Sequence, residues 1–134
     1  MPVHTSPRND QDLGFDRAAL LLLVGDDREL LRDIVKLFLE SAPPLLKEIG
    51  DAVAVADGER VELAAHALRG AAKNFYVRKL EDAAWGLEQL GLNRNLADAV
   101  VAYAKLKAEF QKVRALLRTV VAEECHHDDS DRGR

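Results

Sequence analysis

From Asp16 to Val120 the large apolar residues recur at spacings of three and four, the pattern of helices that bury one face, and no alternating run of strand type interrupts them. A short first helix spans Asp16 to about Val24, with Asp16 as N-cap, and its Leu20–Leu23 run is too apolar for an exposed helix. It is predicted to cover one end of a bundle. After the break at Gly25–Asp27, either Asp26 or Asp27 can cap a long helix running to about Ala56. Its expected buried stripe is Leu30, Ile34, Leu37, Phe38, Leu45, Ile49 and Val53. Pro43–Pro44 removes backbone donors inside it, which predicts a kink or break near Ser41, with Ser41 able to cap the second segment.

Asp57 caps the next helix, expected to end near Phe75. Another follows from about Arg78 to Leu90, with Leu80, Ala83, Ala84, Leu87 and Leu90 inward and Gly91 as its stop. Asn93 or Asn95 opens the last, where Asp98 stands in a capping arrangement with Asn95. Leu96, Tyr103, Phe110 and Leu117 repeat at heptad spacing there, interleaved with Val100, Leu106, Val113 and Val120. Residues 1–14, including His4, and residues 123–134 carry no periodicity and read as tails. The expected fold is all-α: an up-down antiparallel four-helix bundle over residues 15–122 with an additional short N-terminal helix.

One helix carries the candidate chemistry. At about 100° per residue, Val61, Ala64, Leu68, Ala71, Ala72 and Phe75 share a face, and His66 falls opposite them beside Glu62, Arg69, Gly70 and Lys73. Mid-helix glycine costs about 1 kcal/mol relative to alanine, so Gly70 in an alanine-rich helix calls for a reason. A missing side chain beside His66 leaves room for another molecule, and two cations nearby suit an anion on the imidazole. An inert surface histidine and a glycine that lets two helices pack closely would produce the same letters, and the stretch alone leaves both readings open.

Composition narrows the partners. The chain has 134 residues, 48% hydrophobic but only 5% aromatic, which suits one helical domain better than a sheet. Net charge is −4 without a basic cluster, which argues against nucleic acid. A single cysteine, Cys125, excludes an internal disulfide and fits a reducing compartment. The longest apolar run, Ala18–Val24, is far short of the about 20 residues of a membrane span, and the N-terminus lacks a signal-peptide core. A cytoplasmic monomer away from membranes is expected.

AHALRGAAKNF, at residues 65–75, resembles the signature of histidine-containing phosphotransfer (HPt) domains, roughly A-H-x-L-K-G-S/A-A-x-N. The flanking FLESAPPLLKEI and LEDAAWGLEQLG segments are similar to that family as well, so the resemblance covers about Phe15 to Val120. It implies that His66 accepts a phosphoryl group from a receiver-domain phospho-aspartate in a multistep phosphorelay and passes it on. Arg69 takes the place of a lysine that supports the phosphoryl group, with Lys73 adding charge. Gly70 leaves room for the partner, which would meet Leu63 and Glu62 too, and Glu88 corresponds to a polar residue that bonds the second ring nitrogen. The implied partners are receiver domains of a hybrid histidine kinase and of a response regulator. The implied cofactor is none on this chain, with Mg²⁺ on the receiver. Arginine in place of lysine keeps the charge and changes the geometry, since guanidinium is planar and bulkier.

Three other readings compete. A phosphorylation-silent adaptor could share the fold. Cys125, His126, His127, Asp128 and Asp129 could ligate zinc or nickel, though they lie beyond the last periodic residue. An ATP-dependent kinase would need a nucleotide-binding domain and a phosphate-cradling motif, and neither is found, so the chain is expected to carry phosphate rather than draw it from ATP. The absence of an attached receiver points to a free-standing carrier, unless the sequence is part of a hybrid kinase.

Overall fold

The computed structural model describes residues 13–132, with side chains to Glu124. Capping carboxylates and amides set where most helices begin. The Asp16 side chain accepts from the Ala19 amide, Asp27 from Leu30 and Asp57 from Arg60. Asn95 accepts from the Asp98 amide at 3.2 Å while its own amide donates to the Asp98 carboxylate at 2.9 Å. These caps open α1 (Arg17–Val24), α2 (Arg28–Ala54), α3 (Gly58–Asn74) and α5 (Leu96–Arg132). Of these five helices, α4 (Arg78–Leu92) alone starts without a side-chain cap.

The fold is all-helical: the β-type pairing among the described residues is one isolated antiparallel bridge, Phe15 to Val77. There Asp16 N–H donates to Tyr76 O at 3.0 Å and Arg78 N–H to Gly14 O at 3.1 Å. Leu13 is buried. Residues 13 and 14 therefore belong to the folded body rather than to the expected tail, while residues 1–12 lie outside the described residues.

The long helices close a ring of neighbours. α2 and α4 each pack against both α3 and α5, and α1 lies on α2. Leu31, Val35 and Ile49 of α2, Val61, Ala65 and Leu68 of α3, Leu80 and Leu87 of α4, and Leu106, Phe110 and Leu117 of α5 meet in one buried cluster. Phe38 joins three helices, its ring 4.6 Å from that of Phe75 and 6.1 Å from that of Phe110, within the range of favourable aromatic contact.

Several expected core positions shift by one residue. In α2 the stripe runs through Leu31, Val35, Phe38, Ala42, Ile49 and Ala52, and Leu30 and Leu37 are exposed. In α5 the buried residue is Ala99, which keeps the heptad spacing to Leu106, and Val100 is exposed. In both helices a pattern built on large residues overlooks the alanines that face close neighbours. α1 covers the bundle with Leu20 and Val24, leaving Leu22 83% exposed and Leu23 also open, so its apolar run is not wholly buried.

The expected break at Pro43–Pro44 does not occur. α2 is continuous across both prolines, and Ser41 lies inside it rather than capping a second segment. Buried Ala42, Leu46 and Ile49 hold the helix on either side. Gly91 is not the stop of α4 but a buried position within it. The turns are made instead by Ala56, Tyr76 and Arg94, all in the left-handed region with φ of 58°, 59° and 61°. After each, the next amide reaches back across the helix end: Asp57 to Ala52 O, Val77 to Ala72 O and Asn95 to Leu90 O, at 2.9, 3.3 and 2.9 Å. Lastly, α5 continues as helix to Arg132, past the expected end near Glu124; among the described side chains Val120 is its last buried residue.

Candidate functional site

The Asp57 cap fixes the phase of α3. With Val61, Ala65, Leu68 and Ala72 turned into the core, His66 must face outward, and its side chain is 62% exposed. Two flanking contacts hold the helix in place. On the α2 side, Arg60 donates from Nε and Nη2 to the two Glu48 oxygens at 2.8 and 3.0 Å. On the α4 side stands Glu88, whose side chain is only 14% exposed.

Glu88 bonds both candidate residues of α3. Its Oε2 lies 2.8 Å from His66 Nδ1, and its Oε1 accepts from Arg69 Nε at 2.8 Å. Arg69 Nη2 comes within 3.1 Å of the same His66 nitrogen. Burial in this seam pushes the Glu88 carboxyl up, but the hydrogen bonds and charges of Arg69 and His66 outweigh it, and the net displacement is below the ordinary glutamate value. Glu88 is thus an ionised acceptor at neutral pH. A carboxylate accepts only, so Nδ1 carries the hydrogen of this bond, and in the neutral ring Nε2 then holds the lone pair.

Gly70 stands one turn beyond His66, and a Cβ built on it would meet nothing within 4 Å. The close-packing explanation for this glycine therefore fails. Glycines at helix contacts are Gly50, against the Tyr103 ring, and Gly58 and Gly91: a Cβ on Gly91 would come within 2.7 Å of both Gly58 O and Glu62 N. Leu63, one turn before His66, is 62% exposed, and Glu62 is half-buried. Lys73 is exposed and lines a shallow hollow with Arg69, Arg78, Glu81, Asp82 and Trp85, without joining the Glu88 cluster.

Two features are absent from the sequence reading. Trp85 is 52% exposed beside that hollow. An apolar groove also runs between α1, α2 and the end of α3, lined by Leu23, Ile34, Leu37, Phe38, Ala71 and Phe75. Leu37 was the available signal, since it sits out of phase with the alanine-containing stripe. Among the described residues, no three His, Cys, Asp or Glu side chains come together in a way that could hold a metal ion. The side chains of Cys125–Asp129 lie outside the described residues. No helix among the described residues is long and apolar enough to cross a membrane.

The family model described as "Hpt domain" matches residues 33–116, more than half of the chain and including His66, Gly70 and Glu88. Among solved structures, the chain is similar to histidine-containing phosphotransfer protein B (HptB) from Pseudomonas aeruginosa PAO1. The TM-score is 0.73 at 20% identity, covering 82% of this chain and 96% of that one. At that identity the likeness shows a shared fold. No curated protein matches the sequence at a significant level.

Proposed function

Because the chain belongs to the Hpt domain family, and is therefore a histidine phosphotransfer protein of the phosphorelay type, we propose that His66 is the residue that carries the phosphoryl group. One observation supports this above the others: the exposed imidazole has Nδ1 engaged by Glu88, which leaves Nε2 free beside the open surface at Gly70.

Each group then has a task. The Nε2 lone pair attacks the phosphorus of a receiver phospho-aspartate. An N–P bond forms as the P–O bond breaks, and the aspartate leaves with the electron pair as a carboxylate. Nδ1 keeps its proton throughout, so the ring becomes cationic while facing the Glu88 carboxylate. The reverse step passes the group to the receiver of a response regulator. Arg69 and Lys73 supply positive charge around the site, and the divalent cation comes with the receiver. The chain acts as a phosphocarrier that does not draw on ATP.

The receiver approaches over Gly70, with Leu63 and Glu62 at the rim. The groove past Ala71, between α2 and the end of α3, extends the apolar contact area. In this reading the long helices form an up-down antiparallel bundle with α1 as an additional short helix, a connectivity supported by the short turns and the ring of neighbours.

The test is phosphotransfer from a phosphorylated receiver. Wild type should acquire an acid-labile label, and His66→Gln should acquire none while keeping its helical circular dichroism. Undiminished labelling of His66→Gln would overturn the assignment. A wild-type chain that binds receivers yet never labels would be a phosphorylation-silent adaptor.

A further inference from the structure

Gly86 lies in the middle of α4, and a Cβ built on it would meet nothing within 4 Å. Glycine weakens a helix relative to alanine, and neither a turn nor a close approach inside the chain calls for it here. The core face of α4 is Leu80, Ala84, Leu87 and Gly91. At about 100° per residue this puts Gly86 on the outer face, roughly 160° around the helix from Glu88 and the α3 seam. Beside it stands Trp85, 52% exposed. An exposed indole by itself is ordinary. An indole next to an empty site is not, because one short stretch of surface then offers both a knob and a hole.

We propose that the outer face of α4 joins two copies of this chain, their α4 helices antiparallel about a two-fold axis between Trp85 and Gly86. Each indole then seats on Gly86 of the other copy. In a two-fold contact residue i meets j and j meets i, so one surface supplies both halves, whereas any other partner would have to bring its own knob and its own hole. Charge agrees with the register. The same axis sets Asp82 against Gln89, Arg78 against Asn93 and Lys79 against Leu92, so no like charges are opposed. Asp82 can accept from the Gln89 amide, and the Lys79 stem covers Leu92, which is 51% exposed. One face of a 15-residue helix, about 22 Å long, buries less than the about 1,600 Å² of a standard interface. The dimer is therefore weak and reversible, in place of the expected monomer. His66 takes no part in it, so the inference does not depend on the phosphocarrier reading.

Sedimentation velocity of the full chain should show a shift from monomer toward twice its mass between about 5 and about 500 μM. Emission from Trp85, the single tryptophan, should move to shorter wavelength over the same range. Trp85→Ala removes the knob and Gly86→Gln fills the hole, and each should weaken self-association by about tenfold or more. Gly86→Gln should also raise the urea midpoint measured at low concentration, since glutamine is the better helix former, so its lost dimer is not a folding defect. A mixture of the two variants gives the sharpest readout. One Trp85–Gly86 contact survives between them, and at the other a small side chain meets the filled site. The mixture should form a heterodimer about tenfold tighter than either variant forms with itself. The proposal is overturned if the wild-type chain stays monomeric at about 500 μM, if Gly86→Gln dimerises as wild type does, or if the mixture associates no more tightly than its components. A monomeric chain whose Trp85 emission shifts only when a receiver is added would overturn it too, and would give this face to the receiver.

Discussion

A Cβ placed on Gly91 would lie 2.7 Å from Gly58 O and from Glu62 N, whereas one on Gly70 would find open space. The two glycines belong to neighbouring helices that pack against each other, yet they answer to different demands. At Gly91 the backbones of α3 and α4 come so close that no side chain fits. At Gly70 nothing inside the molecule asks for glycine, and the helix would gain from alanine. The turns deepen the contrast, because Ala56, Tyr76 and Arg94 hold left-handed conformations that favour glycine and do not have it. A glycine omitted where the backbone would welcome it and present where the fold has no use for it points to a demand from outside the chain.

That contrast can be broken experimentally. Gly91→Ala should be the most damaging change, because the added methyl meets backbone on two sides. Overpacking of this kind costs about 1–3 kcal/mol, readable as a lower urea midpoint. A neutral result would mean that α3 and α4 separate easily. Gly70→Ala should move the other way and add about 0.5–1 kcal/mol of stability. Gly70→Gln should fold equally well but lose receiver-dependent labelling, and transfer at the wild-type rate would sink the open-approach argument. Ala56→Gly should relieve a strained turn, and with its own cost in unfolded-chain entropy the net gain should be about 0.5 kcal/mol. A loss of stability there would show that the left-handed turn carries no strain.

The smallest effect separates the ionic outer cluster from the apolar inner contact. Glu88 titrates below its unfolded value, so its ionised form adds stability that is fully present above about pH 4.3 and disappears as pH falls through the folded value. Urea unfolding at about pH 7 and again near pH 3 should show the advantage of wild type over Glu88→Gln shrinking on acidification. An advantage that persists in acid would place Glu88 outside the ion pair.

Most of the helix starts were legible because a cap is a local event. Asp57 and Asn95 bond amides three residues away, and short-range chemistry of that kind survives any tertiary arrangement. The outward position of His66 followed from the same local phase. What was lost depends on neighbours. Ala42, Ala52 and Ala99 are core residues because another helix comes close to them, and nothing in an alanine announces this. Leu37 and Val100 were misplaced for the same reason. The helix ends at Ala56, Tyr76 and Arg94 were hidden because the expected glycine is missing, and Gly91 drew the stop signal to itself. The pairing of Glu88 with His66 entered through a family likeness. The capture of Arg69 by Glu88 had no sequence signal, since it depends on how two flexible side chains settle between two helices.

Trp85 is the single tryptophan of the chain, half-exposed and one helical turn ahead of Glu88, against the hollow that Arg69 and Lys73 also line. Indole emission moves to shorter wavelength when water around the ring is replaced by protein, and it dims or brightens as nearby charges rearrange. The molecule therefore carries an optical gauge at the edge of the His66–Glu88–Arg69 cluster, with no second tryptophan to blur the reading. A bound partner that covers the α4 side of His66 will register in the colour of that light, and one that seats wholly on the α2 side will leave it unchanged.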